Sequence, residues 1–233
     1  MNKITFTIDG QACTAEAGQT ILEAARANGI YIPSLCWFEG MKPAGSCRIC
    51  TVRAGGRYMA ACTQPVSEQM VIENMAPDLE DMRKALVEML FVEGNHMCPT
   101  CEKSGNCELQ ALAYRYQMLV PRFPYDFPVR RVEPAGPKIL LEHNRCIKCL
   151  RCVRGVKAKD GRRVFGALRR GGRKKIAVDL SLAAALSDRR AREAMDRCPV
   201  GSILKKEVGF IVPVGKRKYD ATPIGSDLRK AEG

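Results

Sequence analysis

Eleven of the twelve cysteines in this 233-residue chain fall into three groups, and that grouping limits what the chain can fold into more than any other feature. The groups are Cys36, Cys47, Cys50 and Cys62; Cys98, Cys101 and Cys107; and Cys146, Cys149, Cys152 and Cys198, with Cys13 left over. The opening MNKITFTIDG has neither the charged start nor the apolar stretch of a secretory signal, and no apolar run reaches the length of a membrane span. The expected compartment is therefore the cytoplasm, where thiols stay reduced and structural disulfides are rare. Metal ligation or redox chemistry remains.

The intervals between the cysteines carry their own signals. KITFTI alternates apolar and polar residues, Asp9-Gly10 marks a tight hairpin, and QACTA reads as its second strand, with Cys13 as a small core residue. Thr20 and Glu23 form a capping-box pattern ahead of ILEAARA, and Gly29 follows the last turn; Leu22 and Ala25 are expected to face the sheet. CTVRAGGRYMAAC predicts a further hairpin turning at Gly55-Gly56. From Pro77 to about Val92 an amphipathic helix is expected, with Leu79, Met82, Leu86, Met89 and Leu90 on its apolar stripe and the methionines as core filler. A second helix is expected from Cys107 or Glu108 through ELQALAYRYQ, so that the three-cysteine loop is held between two helices.

The proline-rich run PRFPYDFPVRRVEPAGP reads as a linker, followed by a cysteine cluster, a basic hairpin-like stretch, and a helix at about 188–196. The fold class is α+β, with expected divisions at 1–75, 76–120, a linker over 121–138, 139–208, and a strap-like tail over 209–233.

C-x2-C-x2-C at Cys146, Cys149 and Cys152 wraps a tight loop around a compact cube, and the Cys-Pro pair at Cys198 supplies a fourth thiolate; together they predict one [4Fe-4S] centre. The first set places the close pair Cys47 and Cys50 between the distant singles Cys36 and Cys62, which suits a [2Fe-2S] rhomb with two thiolates on each iron. Gly45 and Ser46 in AGSCRIC let backbone N–H groups point at sulfur. Structural zinc is the alternative, although such sites usually pair two short motifs around one ion. The set Cys98, Cys101 and Cys107 leaves one corner of a second [4Fe-4S] centre open. His96 is one of only two histidines and stands two positions before Cys98, so it is the candidate fourth ligand; the alternative is that it caps the preceding helix while water or Asn95 meets the iron.

Nothing in the sequence resembles a bond-making active site: there is no dinucleotide fingerprint after a strand, no paired carboxylate in an evident pocket, no nucleophile with a histidine at hand. The formal charge of +13 is local, since Asn144 to Ile176 holds thirteen Lys and Arg against one Asp while residues 1–75 balance six against six. Cations there offset the charge of a cluster and suit an acidic partner face. A nucleic-acid binder would interleave aromatics, and that stretch offers only Phe165, so no nucleic acid and no membrane are expected as partners.

In this order the three constellations resemble the N-terminal iron-sulfur region shared by the large subunit of respiratory complex I, the [FeFe] hydrogenases and the diaphorase small subunit of bidirectional NAD-reducing [NiFe] hydrogenases. The resemblance covers most of the chain, and that to the diaphorase subunits is close over GNHMCPTCEKSGNCELQ, RCIKCLRCVRG and CPVGSILKKEVGF. It implies a β-grasp [2Fe-2S] ferredoxin domain, a small helical [4Fe-4S] domain ligated by His96, Cys98, Cys101 and Cys107, and a ferredoxin-like [4Fe-4S] domain with an extended C-terminal tail. The wider family usually places three residues between the histidine and the first cysteine. That position here is Gly94, which has no ligating side chain, and only Met97 separates His96 from Cys98.

The implied activity is electron relay, without catalysis by this chain and without flavin of its own. Single electrons would pass between an FMN-containing, NADH-oxidising diaphorase subunit and the small and large subunits of a [NiFe] hydrogenase. The alternative is a relay subunit of another NAD-linked complex, such as NAD-dependent formate dehydrogenase. The chain's length fits the relay part alone.

Overall fold

A computed structural model describes residues 3–206 and 209–228. The first hairpin is β1 (Lys3–Ile8) and β2 (Gln11–Glu16), with Asp9 and Gly10 at φ 48° and 79° in the turn. Asp9 also closes the sheet from outside, its carboxylate accepting from the backbone N–H of Asn74 at 2.7 Å and of Met75 at 3.1 Å. Helix α1 (Ile21–Ala27) starts as its sequence predicts: the Thr20 hydroxyl accepts from the Glu23 N–H, and the Glu23 carboxylate accepts from the Thr20 N–H. Its apolar face, Ile21, Leu22, Ala24 and Ala25, is buried.

Strands β3 (Thr51–Ala54), β4 (Arg57–Ala60) and β5 (Val71–Glu73) complete a five-stranded sheet in the order β2-β1-β5-β3-β4. Only β1 and β5 run parallel; the other neighbours are antiparallel. This is the β-grasp arrangement, and Phe6, Ile8, Leu22, Val52 and Ile72 share one core with Cys13, Cys50 and Cys62.

Helix α2 (Pro77–Val92) begins at the expected proline, but its buried face differs from the expected stripe. Met89 is exposed and Met82 only half-buried, whereas Arg83 and Glu88 are fully buried beside Leu79, Val87 and Val92. The reason is polar. Arg83 donates to the Asn74 and Thr51 carbonyls and to the Asn74 side-chain oxygen, each at 2.8 Å, and pairs with Glu80 at 2.7 Å, so the helix is tied to the sheet by a charge with its partners in place. Glu88 accepts from Arg122 at 2.7 Å.

Helix α3 (Glu108–Arg115) follows the three-cysteine loop and stops short of Gln117, which adopts a positive φ. The stretch expected as a linker contributes a short strand, β6 (Val132–Glu133), which pairs with β7 (Ile139–Glu142). Helix α4 (Arg151–Gly155) precedes the basic hairpin of β8 (Phe165–Leu168) and β9 (Lys175–Val178). Helices α5 (Leu180–Ala184) and α6 (Asp188–Arg197) lead to β10 (Ile203–Lys205), which completes the sheet β10-β7-β6.

The described part of the tail is a strap. The Lys218 N–H donates to the Asn106 side-chain oxygen at 3.0 Å and the Tyr219 N–H to the Gly105 carbonyl at 2.8 Å, and Ile224 enters the core. Gly225 (φ 92°) lies flat against the Tyr31 ring, where any Cβ would collide with ring carbons. Residues 207–208, at the expected boundary before the tail, and residues 229–233, its end, lie outside the described residues.

Candidate iron-sulfur centres

In the first set, Cys36 follows α1 in a buried loop, Cys47 and Cys50 lie in the turn ahead of β3, and Cys62 stands just beyond β4. Cys36, Cys50 and Cys62 are buried and Cys47 half-buried. The thiols stand within hydrogen-bonding reach of one another: hydrogen bonds from Cys47 and Cys62 pull Cys36 well below the usual thiol range, helped by the Cys47 N–H and the Ser46 hydroxyl, and Cys62 likewise lowers Cys50. The same contacts push Cys47 and Cys62 up, so the four thiols share their protons as one close-set group. Cys13, on β2, shares their core without joining the set, and burial raises its thiol.

In the second set, Cys98 opens a single 3-10 turn, Cys101 follows it, and Cys107 caps α3 with its sulfur accepting from the Gln110 N–H at 3.5 Å. Burial raises all three thiols, Cys107 to about 12, while the positive charge of Arg145 favours the thiolates of Cys98 and Cys101. Burial also pushes the His96 imidazole down to about 4, leaving it neutral with a lone pair free to donate to metal. The ring lies 5.2 Å from the Phe91 ring near the end of α2.

A Cβ placed on Gly94 would stand 2.7 Å from His96 Nε2, so the imidazole occupies the space a side chain at position 94 would need. The cavity at the ring is walled by Met97, Tyr125, Phe127 and Asn144 and includes none of the three cysteines. Among the described residues, no three His, Cys, Asp or Glu side chains converge on one point as a single-ion site requires.

In the third set, Cys146, Cys149, Cys152 and Cys198 wall one tight pocket together with Leu141, Ile147, Leu150, Ile176 and Ser202. Lys148 and Leu150 at φ 54° and 62° curl the loop, α4 carries Cys152, and Cys198 ends α6. Burial raises the thiols of Cys146 and Cys152, and that of Cys149 to about 12. Ser202 Oγ, which lines this pocket, is buried with no hydrogen-bond partner among the described residues. Four thiols and an idle hydroxyl around an apolar pocket fit a sulfur-rich anionic cluster, which needs thiolate ligands and accepts hydrogen bonds at sulfur.

The third set has a wall in common with each of the others. Toward the second, the Glu108 N–H donates to the Pro199 carbonyl at 2.8 Å, Lys103 reaches the Met195 carbonyl at 2.9 Å, and Gly201 faces the Cys101 sulfur with no room for a Cβ. Toward the first, Arg154 donates to the Cys36 carbonyl at 2.6 Å and to the Lys42 carbonyl. Arg151, Arg154 and Ser202 escaped the sequence reading as individuals; the crowd of cations around C-x2-C-x2-C was the available signal for the two arginines, and Ser202 had none.

Three family models match in turn: a 2Fe-2S iron-sulfur cluster binding domain over residues 1–77, the NADH-ubiquinone oxidoreductase-G iron-sulfur binding region over 83–122, and the ferredoxin-like domain of NADH-quinone oxidoreductase subunit 3 over 136–204. The zinc alternative gives way to iron-sulfur on all three. The chain is 50% identical over 230 residues to the NAD-reducing hydrogenase HoxS gamma subunit of Cupriavidus necator, covering 98% of both. It belongs to the NAD-reducing hydrogenase gamma-subunit family. This gamma-type chain is also 32% identical to the mitochondrial NADH-ubiquinone oxidoreductase 78 kDa subunits of Candida albicans and Neurospora crassa, over 97% and 89% of its own length and 32% and 28% of theirs. Its fold superposes with a TM-score of 0.87, at 40% identity and over 97% of this chain and 99% of the other, on a chain from the crystal structure of NAD+-reducing [NiFe]-hydrogenase in the H2-reduced state.

Proposed function

We propose that this chain is the electron-relay iron-sulfur subunit of an NAD-reducing [NiFe] hydrogenase, the complex that interconverts H2 and NAD+ with NADH and a proton. The observation that carries the reading is full-length identity of 50% to a gamma subunit of such an enzyme. The ligands are Cys36, Cys47, Cys50 and Cys62 for one [2Fe-2S] cluster, His96, Cys98, Cys101 and Cys107 for one [4Fe-4S] cluster, and Cys146, Cys149, Cys152 and Cys198 for a second. When bound, such clusters take up and release one electron at a time. The chain itself holds them, keeps water away by burying most of the ligands, and sets cations beside them. His96 as the substitute for a ligand at position 94 is supported by its ring filling the space above Gly94.

The partners are an FMN-containing, NADH-oxidising diaphorase subunit on one side and the small and large hydrogenase subunits on the other; this chain binds no flavin. Among the described residues no helix is long and apolar enough to cross a membrane, and we place the complex in the cytoplasm. The test is anaerobic isolation of the native complex through this chain, with metals and flavin measured on the eluate. Nickel and FMN together are expected. Molybdenum or tungsten in place of nickel would move the chain to a formate dehydrogenase, and zinc without iron would end the relay reading.

A further inference from the structure

We propose that Arg154 is the positioning residue at the junction of the first and third cysteine sets, fixing the spacing of the two cluster sites and supplying a positive charge that both share. The proposal rests on the ligand assignment above. Arg154 lies on α4, two residues past Cys152, and its side chain is half-buried. Its guanidinium spans four backbone carbonyls. Nη2 donates to Cys36 at 2.6 Å and to Cys149 at 3.4 Å, Nε donates to Leu150 at 3.3 Å, and Nη1 donates to Lys42. Two of these carbonyls belong to cluster-ligand residues from different sets, so one planar fork joins the backbone of both sites. A lysine could not reproduce it, because a single ammonium on a flexible stem cannot hold so many carbonyls in one plane.

The charge of this side chain has no counter-ion among the described residues. Among the described residues no carboxylate stands within ion-pair distance of Arg154, whereas its neighbour Arg151, one turn back on the same helix, is paired by Glu108. Carbonyl oxygens satisfy the donors without cancelling the cation. In a half-buried position that charge is screened less than at the surface. An electron added on either side brings negative charge toward it, so the reduced form of both sites is favoured. A hop between the two sites oxidises one and reduces the other by a single electron and moves no atom. What the protein controls is the distance and the charge between them, and Arg154 acts on both.

The test uses the intact, cluster-loaded complex, prepared anaerobically, with redox titration followed by electron paramagnetic resonance. Arg154→Met is expected to lower the midpoint potentials of the [2Fe-2S] cluster and of the [4Fe-4S] cluster of the third set, and to weaken the magnetic interaction between them when both are reduced. Arg154→Lys, which keeps the charge and loses the fork, is expected to restore the potentials but not the interaction, and it serves alone if Arg154→Met does not assemble. Arg170→Met removes an exposed cation of the β8–β9 hairpin and is expected to move neither potential; an equal shift there would assign the effect to overall charge and overturn the proposal. Unmoved potentials in Arg154→Met with both signals present would overturn the proposal alone. Absence of either signal from the unaltered complex would overturn the ligand assignment and the proposal with it.

Discussion

Arg151 and Glu108 meet in two parallel hydrogen bonds of 2.6 and 2.7 Å, a fork-to-carboxylate pair in which the arginine side chain is 3% exposed. The pair joins α4, between Cys149 and the end of the third cysteine loop, to the first turn of α3, directly after Cys107. It therefore fastens the second and third cysteine sets, which lie some forty residues apart in the chain. A carboxylate at the start of a helix is favoured by the helix dipole as well, and the Arg151 guanidinium also lies over the Phe38 ring at 5.6 Å.

Removing one member of a buried pair leaves the other charged and unpartnered, at a cost of about 3 kcal/mol. Glu108→Gln is accordingly expected to lower the thermal midpoint of the cluster-loaded subunit and to loosen the second and third sites together. Differential scanning calorimetry of the complex, with iron content measured after mild heating, checks both. A midpoint equal to that of the unaltered protein would mean that the pair contributes nothing to holding the sites.

Ser202 offers a narrower test. Its hydroxyl, without a hydrogen-bond partner among the described residues, lines the pocket of the third set and favours the thiolate of Cys146. A hydrogen bond to a ligand sulfur stabilises the reduced, more negative cluster. Ser202→Ala is expected to lower the potential of that one cluster and leave the [2Fe-2S] cluster unmoved, as read by redox titration.

For His96, the two readings separate cleanly. As a ligand, its replacement by alanine is expected to alter or abolish the paramagnetic signal of the second cluster and leave the other two signals in place. As a helix-end cap alone, the same change would cost about 1 kcal/mol of stability and leave all three spectra as they were. Gly94→Ala is expected to resemble the histidine replacement, because a methyl group there meets both the imidazole and the Asn144 carbonyl at 2.7 Å.

The strap should respond to acid. The Asp220 carboxylate accepts from the Arg217 guanidinium and from the backbone N–H groups of Arg217 and Gly215, and these hold its pKa well below the usual carboxylate range. A depressed folded-state pKa means that the contribution is fully present above the unfolded value of about 3.9 and is lost as pH falls through the folded one. Hydrogen exchange over residues 213–222 is therefore expected to stay slow from neutral pH to about 5, then to quicken as pH drops further, once the intrinsic rate is corrected for. Asp220→Asn should abolish that dependence.

Much of this was written locally in the chain. Asp9-Gly10, Thr20 with Glu23, Gly55-Gly56 and Pro77 each settle a turn or a helix start through their own backbone preferences, and the cysteine spacings mark three sites without reference to anything distant. The stripe of α2 was misread because periodicity counts Met82 and Met89 as apolar and Arg83 and Glu88 as polar, whereas Asn74, Thr51 and Arg122 make the charged pair the inward one. The joints between sites were not legible for the same reason. Arg154 finds Cys36, and Arg151 finds Glu108, through contacts that no local repeat encodes. Position 94 illustrates both limits: the spacing pointed to a missing side chain, but only the folded loop reveals that the His96 ring stands in its place.

The strap has a consequence for biosynthesis. Residues 218–225 cover ground laid down much earlier in the chain, closing over Tyr31 and over the loop at Gly105 and Asn106. During translation the early ferredoxin-type sheet can fold while this flank is still bare, because its core, from Phe6 to Ile72, precedes the strap in the chain. Burial of Tyr31 and of the loop at Gly105 on this side therefore comes last, when residues 218–225 have been made.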